Sequence, residues 1–466
     1  MEVHWHRRDL RVRDNAALDG ATDVVPVYVL DPAVLRHSSE VRQAFLRRCL
    51  ETLDEAYRDR GGALHVLHGE SADVLPRFAS RLDAGLTWNR GYSGLSRERD
   101  RGVRDALDSA DVDYRVAVDR VFHEPGEITT EAGDPYRVFR YYYEKWKRGE
   151  RPSPRRAPVS TADPDVAKET GARSLDEVDS DVLARGVEVD LPPAGPEAAR
   201  RRLQDFCDGD IHSYDVDRDY PARAGTSRLS PYLRFGCVGI REVWSATVEA
   251  ERERESDGAE EFRRQLAWRE FYVQLLYYNP RMPVEPLDGF PGDPWRYDDV
   301  EAEVEAWRRG KTGYPLVDAG MRELLRTGWM HNRVRMVAAS FLTKHLLVDW
   351  RVGYDWFREH LVDHDTANES GGWQWAASTG ADAQPYFRVF NPTKQLREYD
   401  PEARYVRRHV EELSDVSTDV VLSWNEMDAD ERREEAPGYP DPVVEHGFAR
   451  QRALEAFETA RDGESD

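Results

Sequence analysis

Asp363-His-Asp-Thr-Ala-Asn-Glu-Ser-Gly-Gly-Trp-Gln-Trp375 brings two aspartates, an Asn-Glu pair, a Gly-Gly step and two tryptophans together within thirteen residues. Gly371 and Gly372 allow the backbone to take a positive φ or to approach a flat ligand closely. Trp373 and Trp375 are two positions apart and cannot share one face of a helix, so they point at different neighbours. Taken by itself, the stretch predicts a buried turn with aromatic core residues.

The composition is acidic and poor in lysine. The 466 residues carry 89 acidic and 66 basic side chains, for a formal charge of −23, and only six of the basic residues are lysines. Such a balance is typical of halophilic proteins, although GC-rich coding DNA would also favour arginine over lysine. Because nucleic-acid binding needs a basic face, any contact with DNA must use a local arginine cluster.

The length is sufficient for two or three domains with a large core. No apolar run of about 18 residues occurs, and charges near the N-terminus replace the apolar core of a signal peptide, so we expect neither a transmembrane helix nor a secretory leader. The three cysteines, Cys49, Cys207 and Cys237, form no CxxC pair. They suit a reducing interior and offer no cysteine-based metal site, which predicts a cytoplasmic protein.

Residues 1–125 alternate short strand signals with helical signals. The predicted strands are Glu2–His6, Asp23–Leu30, Ala63–His68, Leu86–Asn89 and Tyr114–Val118, and the helices between them are Ser39–Arg60, Ser71–Leu82 and Ser96–Ala110. This alternation predicts an α/β domain with a doubly wound parallel sheet. No GxGxxG follows the first strand, so a nicotinamide site is not indicated.

Residues 126–195 are rich in proline and lack periodicity, which predicts an interdomain linker over the surface. Residues 196–466 have almost no strand signal and predict an all-α domain. Its predicted helices are Ala198–Asp208, Ile240–Arg254, Glu260–Tyr278, Val300–Arg309, Pro315–Leu325, Asn332–Trp350 and Tyr354–His360.

Three segments of the helical half suit a ligand. Gly225-Thr-Ser-Arg-Leu-Ser230 precedes a helix start, where exposed backbone N–H groups favour a pyrophosphate, although a simple Ser/Thr helix cap explains it too. Two further segments place polar and flat side chains on one helix face each: Gln265, Trp268, Arg269 and Tyr272, and Asn332, Arg335 and Met336. The first face suits a stacked ligand with polar edges, or else an amphipathic helix with a core tryptophan. On the second, Asn332 can donate and accept, as base-edge recognition requires.

Together these segments resemble the photolyase/cryptochrome family over nearly the whole chain, and most closely its class I cyclobutane pyrimidine dimer photolyases. The matching motifs are Trp5–Asn15, Gly225–Ser230, Trp268–Tyr272, Lys311–Pro315, Trp329–Met336, Gly371–Trp375, Phe390–Pro392 and Gly438–Pro442. The family fold joins an N-terminal α/β antenna domain to a C-terminal helical domain that holds FAD. The resemblance therefore implies an FAD cofactor and a DNA substrate that contains pyrimidine dimers.

The resemblance also implies roles for individual residues. The implied FAD contacts are Tyr214, Thr226, Ser227, Arg228, Leu229, Ser230, Arg269, Arg335, Asp363, Asp365, Asn368 and Glu369. Among these, Arg335 and Asp363 form an ion pair beside the flavin ring, and Asp365 lies near its pyrimidine edge. The implied substrate contacts are Trp268 and Trp375, which sandwich the flipped dimer, together with Asn332 and Met336. The implied electron chain to the flavin is Trp373, then Trp350, then either Tyr297 or Trp295.

Two residues depart from the pattern of these photolyases. Gln265 stands where a glutamate faces the dimer, and an amide can donate a hydrogen bond but cannot give up a proton. We therefore expect dimer splitting to be slower but not abolished. Glu369 falls where an asparagine usually faces flavin N5, with Asn368 one step before it. Burial beside a reduced flavin favours the protonated acid, and some photosensory cryptochromes carry an acid at this position.

The first hypothesis for function is light-driven repair of cyclobutane pyrimidine dimers by electron transfer from excited FADH⁻. The alternative is a cryptochrome-type blue-light photoreceptor; a plain flavoprotein oxidoreductase is disfavoured by the missing dinucleotide fingerprint and the tryptophan series. Trp375 is kept where many cryptochromes lose it, which favours repair.

A deazaflavin antenna, or none, fits better than a folate, because Ser93-Gly94 replace the acidic residue expected near Tyr92. We expect a monomer that binds damaged DNA and has no metal.

Overall fold

The computed structural model describes residues 1–179, 182–184 and 186–463. The chain divides into two compact units, each built from several segments. The first unit comprises Met1–Asp215, Ser227–Pro280 and Val362–Asp365; the second comprises Val216–Thr226, Arg281–Leu361 and the chain from Thr366 onward. The boundaries predicted at residues 125 and 195 stay a prediction.

The first unit contains a five-stranded parallel sheet. Its strands are β1 (Glu2–His6), β2 (Val24–Leu30), β3 (His65–His68), β4 (Gly85–Asn89) and β5 (Tyr114–Ala117). They are ordered β3-β2-β1-β4-β5, and all neighbouring pairs are parallel. The direction of winding reverses between β1 and β4, as a doubly wound sheet requires. The predicted sheet is therefore confirmed.

Burial on both faces explains the apolar strands of this sheet. All seven residues of β2 are buried, as expected for a parallel strand covered by helices on both sides. In the centre, Trp5 is paired in register with Val27 on one side and Trp88 on the other. The two indole rings, 5.9 Å apart, belong to the main core cluster of the sheet.

Ten α-helices begin in the described part of the first unit. They are α1 (Pro32–Leu35), α2 (Glu40–Arg58), α3 (Ser71–Arg81), α4 (Gly94–Ser109), α5 (Phe139–Trp146), α6 (Gly195–Asp208), α7 (Tyr214–Asp217), α8 (Ser230–Phe235), α9 (Ile240–Glu253) and α10 (Asp257–Tyr278). α5 lies in the stretch that the sequence predicts as an irregular linker. It forms because Phe139, Tyr142 and Trp146 share one buried face, and Phe139 and Tyr142 pack on Phe271 of α10.

The second unit contains helices and no strand among its described residues, which confirms the predicted all-α class. Its helices are α11 (Glu301–Arg308), α12 (Pro315–Thr327), α13 (Asn332–Ser340), α14 (Trp350–His360), α15 (Thr366–Ala377), α16 (Pro392–Tyr399), α17 (Arg404–His409), α18 (Thr418–Ser423), α19 (Ala429–Glu435) and α20 (His446–Asp462). Four buried tryptophans, Trp307, Trp350, Trp373 and Trp424, belong to its core. In the described chain, none of the helices combines the length and the apolar character that crossing a membrane requires.

Two local predictions are wrong. The sequence predicts one helix from Asn332 to Trp350, but α13 ends at Ser340 and is followed by a π-helical turn at Phe341–His345. Leu347 then takes a positive φ of 53°, and Asp349 caps the start of α14 by accepting from the Arg351 N–H. These local features break the apolar repeat into two helices.

The predicted turn at Gly371-Gly372 is also absent, because α15 runs through both glycines. Gly372 is exposed, and a Cβ atom added there would meet no other atom within 4 Å. Trp373 and Trp375 nevertheless point at different neighbours, as their spacing predicts: Trp373 packs against Phe357, and Trp375 lies near Phe390.

Candidate functional site

One helix of the first unit carries four side chains that the sequence singles out. Gln265, Trp268, Arg269 and Tyr272 all lie on α10. The Trp268 indole stacks on the Phe139 ring of α5, with centroids 3.7 Å apart and planes 11° from parallel. Phe139 is buried, whereas Trp268 is partly exposed. Phe139 therefore covers one face of the indole and holds the plane of the ring.

The Gln265 amide forms a hydrogen bond within its own helix. Its Nε2 donates to Glu261 Oε1, one turn earlier, over 2.7 Å. Both side chains are partly buried. The amide keeps a second N–H donor and its carbonyl acceptor beside this bond, and a substrate contact through Gln265 remains a prediction.

Asp365 lies among several arginines of the first unit. Arg8 donates to its carboxylate, and Arg120 Nη2 lies 3.3 Å from Asp365 Oδ2. Burial opposes ionisation, but these two arginines, with Arg234 and Arg269, hold the pKa of the Asp365 carboxyl well below its usual value. Arg269 also donates to the Arg120 carbonyl over 2.9 Å. Four guanidiniums around one carboxylate leave an excess of positive charge, which favours a nearby anionic group.

Glu270 joins α10 to the segment that follows the sheet. Its two carboxylate oxygens accept from the backbone N–H groups of Phe122 and His123, over 2.7 and 2.8 Å. These bonds and the nearby Arg269 favour the ionised form. Burial outweighs them, however, and raises the pKa of Glu270 to about 7. Glu270 therefore positions α10 and titrates near neutral pH.

We expect the contribution of Glu270 to the unfolding free energy to fall as pH rises from about 4.5 to about 7, because its carboxyl stays protonated in that window only in the folded protein. The buried histidines His4 and His345, whose pKa values burial lowers, contribute in the opposite direction. For Glu270, a pKa difference of this size corresponds to roughly 3 kcal/mol by the end of the window. Glu270→Gln is expected to remove the Glu270 component. Denaturant unfolding of both proteins across the window measures it, and identical slopes against pH would contradict it.

The predicted phosphate loop includes a residue in a strained conformation. Arg228 takes a φ of 49°, a left-handed conformation that is uncommon outside glycine. The Ser227 hydroxyl accepts from the Leu229 N–H over 3.3 Å, and the Ser227 carbonyl accepts from Arg202 Nε over 2.8 Å. The hydroxyl thus supports the loop backbone. Ser230 follows as the first residue of α8, and contacts of these residues with a phosphate stay predictions.

Tyr214, which the resemblance implies as an FAD contact, has a buried ring. The ring packs edge-on against Phe206 and Phe262, with centroids 5.7 and 5.3 Å away. This packing restrains the movement of the ring. Thr226, the remaining member of the predicted loop contacts, belongs to the second unit and is partly buried.

In the second unit, Arg335 forms an ion pair with Glu369. Arg335 Nη1 lies 3.0 Å from Glu369 Oε1, and both side chains are largely buried. The ionised carboxylate makes this pair, whereas a hydrogen bond from Glu369 to flavin N5 would need the protonated acid. Asp363, the partner predicted for Arg335, belongs to the first unit, and that pairing stays a prediction, as does the role of Asn368.

Asn332 and Met336 lie together on α13. Asn332 Nδ2 is 3.8 Å from Met336 Sδ, and Asn332 is exposed at the helix start. The shared face inferred from their spacing is therefore present. Their contact with a base remains a prediction.

The predicted electron donors differ in exposure. Trp373 and Trp350 are buried, and Trp373 packs edge-on against Trp307, with centroids 6.1 Å apart. Tyr297 is 62% exposed and donates to Asp293 Oδ2 over 2.6 Å. Trp295 is partly buried and packs edge-on against Phe457 at 5.5 Å. The choice between Tyr297 and Trp295 as distal donor stays open.

The structure also brings together residues that the sequence does not single out. His4, His6 and Asp9 meet in the core of the first unit at separations that could suit a metal ion. The ring nitrogens of both histidines already lie within hydrogen-bond distance of Thr87, Asp9 and Tyr57. These bonds account for the cluster as a buried polar network. Only the HxH spacing in β1 could have indicated it from the sequence.

Comparison with known families identifies the chain. A model described as DNA photolyase matches residues 2–160, and a model described as the FAD binding domain of DNA photolyase matches residues 262–459. A protein of Halobacterium salinarum named deoxyribodipyrimidine photo-lyase is 49% identical, with 100% of both chains covered. The chain belongs to the DNA photolyase family. Another member with that name, from a Synechococcus species, is 38% identical over 98% of this chain and 96% of its own.

Solved structures of family members have the same fold. A class III photolyase from Agrobacterium tumefaciens superimposes with a TM-score of 0.90 at 34% identity, covering 99% of this chain and 97% of its own. A photolyase from Sulfolobus tokodaii, described as containing two FAD molecules, has a TM-score of 0.82 at 31% identity and covers 98% and 100%. A Synechocystis cryptochrome has a TM-score of 0.86 at 26% identity and covers 98% and 99%.

Proposed function

We propose that this protein uses light to repair cyclobutane pyrimidine dimers in DNA, with FAD as its cofactor. Family membership and the names of its relatives support this activity. The structural observation that carries it is the partly exposed Trp268 ring, backed by Phe139 and one turn from Gln265. A flat ring with one covered face is suited to stacking a flipped base on the other.

The residues present fit FAD. The excess of arginine around Asp365 suits an anionic cofactor, and the loop that precedes α8 and the start of α8 offer the hydroxyl groups of Ser227 and Ser230. We assign the phosphates and ribose to this loop and to Tyr214, and the flavin ring to the residues about Arg335. When bound in its reduced form, FAD supplies the electron that light transfers to the dimer.

The protein's own residues bind and orient the dimer. Flipping a damaged base out of the duplex costs a few kcal/mol, less than for an intact base. Stacking on Trp268 and Trp375 returns about 1–3 kcal/mol per base. Asn332 and Met336 would contact the edges of the dimer, and Gln265 would donate a hydrogen bond from its amide to a dimer carbonyl.

Replacing Gln265 by glutamate is expected to speed dimer splitting. A protonated glutamate can share its proton with the carbonyl anion that develops, whereas the amide cannot. Single-turnover repair after a light flash, at saturating DNA, measures the splitting step. Gln265→Ala is the matched control and should be slower than the unmodified protein. A Glu variant that splits dimers no faster would contradict the role given to residue 265.

Illumination of the reduced, FAD-containing protein with thymine-dimer DNA tests the proposed function. Restored thymines are counted by chromatography, with a dark sample as control. Repair that requires light supports the proposal, and the absence of restored thymines contradicts it.

The alternative is a photoreceptor of the cryptochrome type. Glu369, paired with Arg335, is the observation that favours it, because this position usually holds asparagine in photolyases. Under this alternative the illuminated protein restores no thymines, yet light changes its flavin absorption. Glu369→Asn should then alter the light-induced spectrum.

For an antenna we propose a deazaflavin rather than a folate. Ser93 takes no part in an acidic site; its hydroxyl caps α4 by accepting from the Ser96 N–H over 3.3 Å. The Sulfolobus relative is described with a second FAD as a light-harvesting cofactor, so a flavin-type antenna is compatible with the fold. Mass spectrometry of the extracted chromophores tests this. We further expect the protein to act as a cytoplasmic monomer.

A further inference from the structure

The exposed side of α5 is unusually basic for this protein. Residues 140–148, which cover α5 and its C-terminal end, contain Arg140, Lys145, Lys147 and Arg148 against a single acid, Glu144. Two of the six lysines of the chain lie here, in a protein whose net charge is −23. Tyr141 projects from the same side and is 60% exposed. We call Arg140, Tyr141, Lys145 and Arg148 the α5 face.

The cations of the α5 face are available to a partner. Lys147 pairs with Glu144 over 2.7 Å, but among the described residues no carboxylate forms an ion pair with Arg140, Lys145 or Arg148. Lys145 makes one long hydrogen bond, 3.4 Å, to the Thr129 carbonyl. Glu144 interacts electrostatically with Arg140 and Arg148, but one acid against four cations leaves a local positive surface. A strongly acidic protein needs such a surface in order to approach a polyanion.

The buried side of the same helix contacts Trp268, the candidate substrate-binding residue. Phe139, at the start of α5, stacks on Trp268 of α10. Arg264, also on α10, has its guanidinium carbon 5.7 Å from the centre of the Phe139 ring. The α5 face and the Trp268 ring are therefore parts of one packed element pair, so a strand whose base rests on Trp268 passes close to α5.

We propose that the α5 face binds backbone phosphates of the duplex that flanks the flipped dimer. This inference rests on the proposed repair function and adds a second contact region to it. The positive charge of the α5 face favours a polyanion as the partner. Because α5 packs against the helix that carries Trp268, the nearest polyanion is the DNA whose dimer is bound at Trp268. Arg140 and Lys145 act as point charges that position the duplex, and Tyr141 adds an amphipathic contact beside them.

The double variant Arg140→Gln/Lys145→Gln tests the proposal with the FAD-containing protein. A dimer-containing duplex is titrated over a range of salt concentrations. The loss of two phosphate contacts makes the negative slope of log K against log salt less steep by about 1.8. The variant should therefore bind about 60-fold more weakly than the unmodified protein at 0.1 M salt and almost equally at about 1 M salt. We thus expect the affinities of the variant and of the unmodified protein to approach each other as the salt concentration rises.

Two controls make the result specific. Arg36→Gln/Arg101→Gln removes the same charge from exposed positions at the C-cap of α1 and on α4 and should leave the slope close to that of the unmodified protein. A thymine-dimer dinucleotide, which lacks flanking duplex, should bind the α5 variant and the unmodified protein equally. An unchanged slope in the α5 variant, or an equal fall in both double variants, overturns the proposal. Failure of the unmodified protein to repair dimers would instead contradict the proposed function.

Discussion

Replacing Trp268 by alanine is expected to weaken the binding of dimer-containing DNA by roughly 5- to 150-fold, the equivalent of about 1–3 kcal/mol of lost stacking. The affinity for undamaged duplex should change little, because no base is flipped onto the ring. The stack on Phe139 is the physical reason: it fixes the indole plane before the substrate arrives, so little side-chain freedom is lost on binding.

Trp268→Phe is the matched variant, because a smaller ring can still stack on Phe139 and offer its other face. Fluorescence anisotropy with damaged and undamaged duplexes gives both affinities, and flavin absorption checks that each variant keeps its cofactor. Equal losses for the two duplexes would show that Trp268 supports the general DNA surface and does not hold the dimer.

The features predicted from the sequence are those set by local spacing. The sheet follows from short apolar strands that alternate with helices, and the α10 stripe follows from residues three and four apart. α5 is not predicted, because its buried aromatic residues lie in a proline-rich stretch and two of them, Phe139 and Tyr142, pack on Phe271, more than a hundred residues later. Local pattern carries no information about such a partner.

In the candidate site, too, contacts between residues that are distant in sequence cannot be predicted from local spacing. The positions of Trp268 and Arg335 on helices follow from their spacing, whereas the helix that carries Glu369 is not predicted, and the partners of these residues are distant in sequence. The ion pair between Arg335 and Glu369 joins residues 34 positions apart, and the family resemblance implies a pair with Asp363, which stays a prediction. The excess of arginine around Asp365 likewise depends on Arg8, which lies 357 positions away. Charge clusters of this kind arise only in the folded chain.

Gly353 is a residue whose importance only the fold reveals, and its replacement is expected to have the largest effect on stability. Gly353 lies on α14, and a Cβ atom there would overlap the six-membered ring of Trp373, with Leu342 close by. Gly353→Ala should therefore lower the unfolding free energy by about 1–3 kcal/mol, since a well-packed core must shift to admit a methyl group. The helix propensity gained by alanine, at most about 1 kcal/mol, only partly offsets this loss.

Gly372→Ala is the control, because it makes the same change on α15 at an exposed position where the new Cβ meets no atom within 4 Å. It should raise stability by up to about 1 kcal/mol through helix propensity alone. Denaturant unfolding measures both variants. Because the displaced ring belongs to the proposed first electron donor, photoreduction of bound FAD should also slow in Gly353→Ala and stay unchanged in Gly372→Ala. Slower photoreduction without a loss of stability would contradict the packing explanation, and a stability loss with normal photoreduction would contradict the role proposed for Trp373.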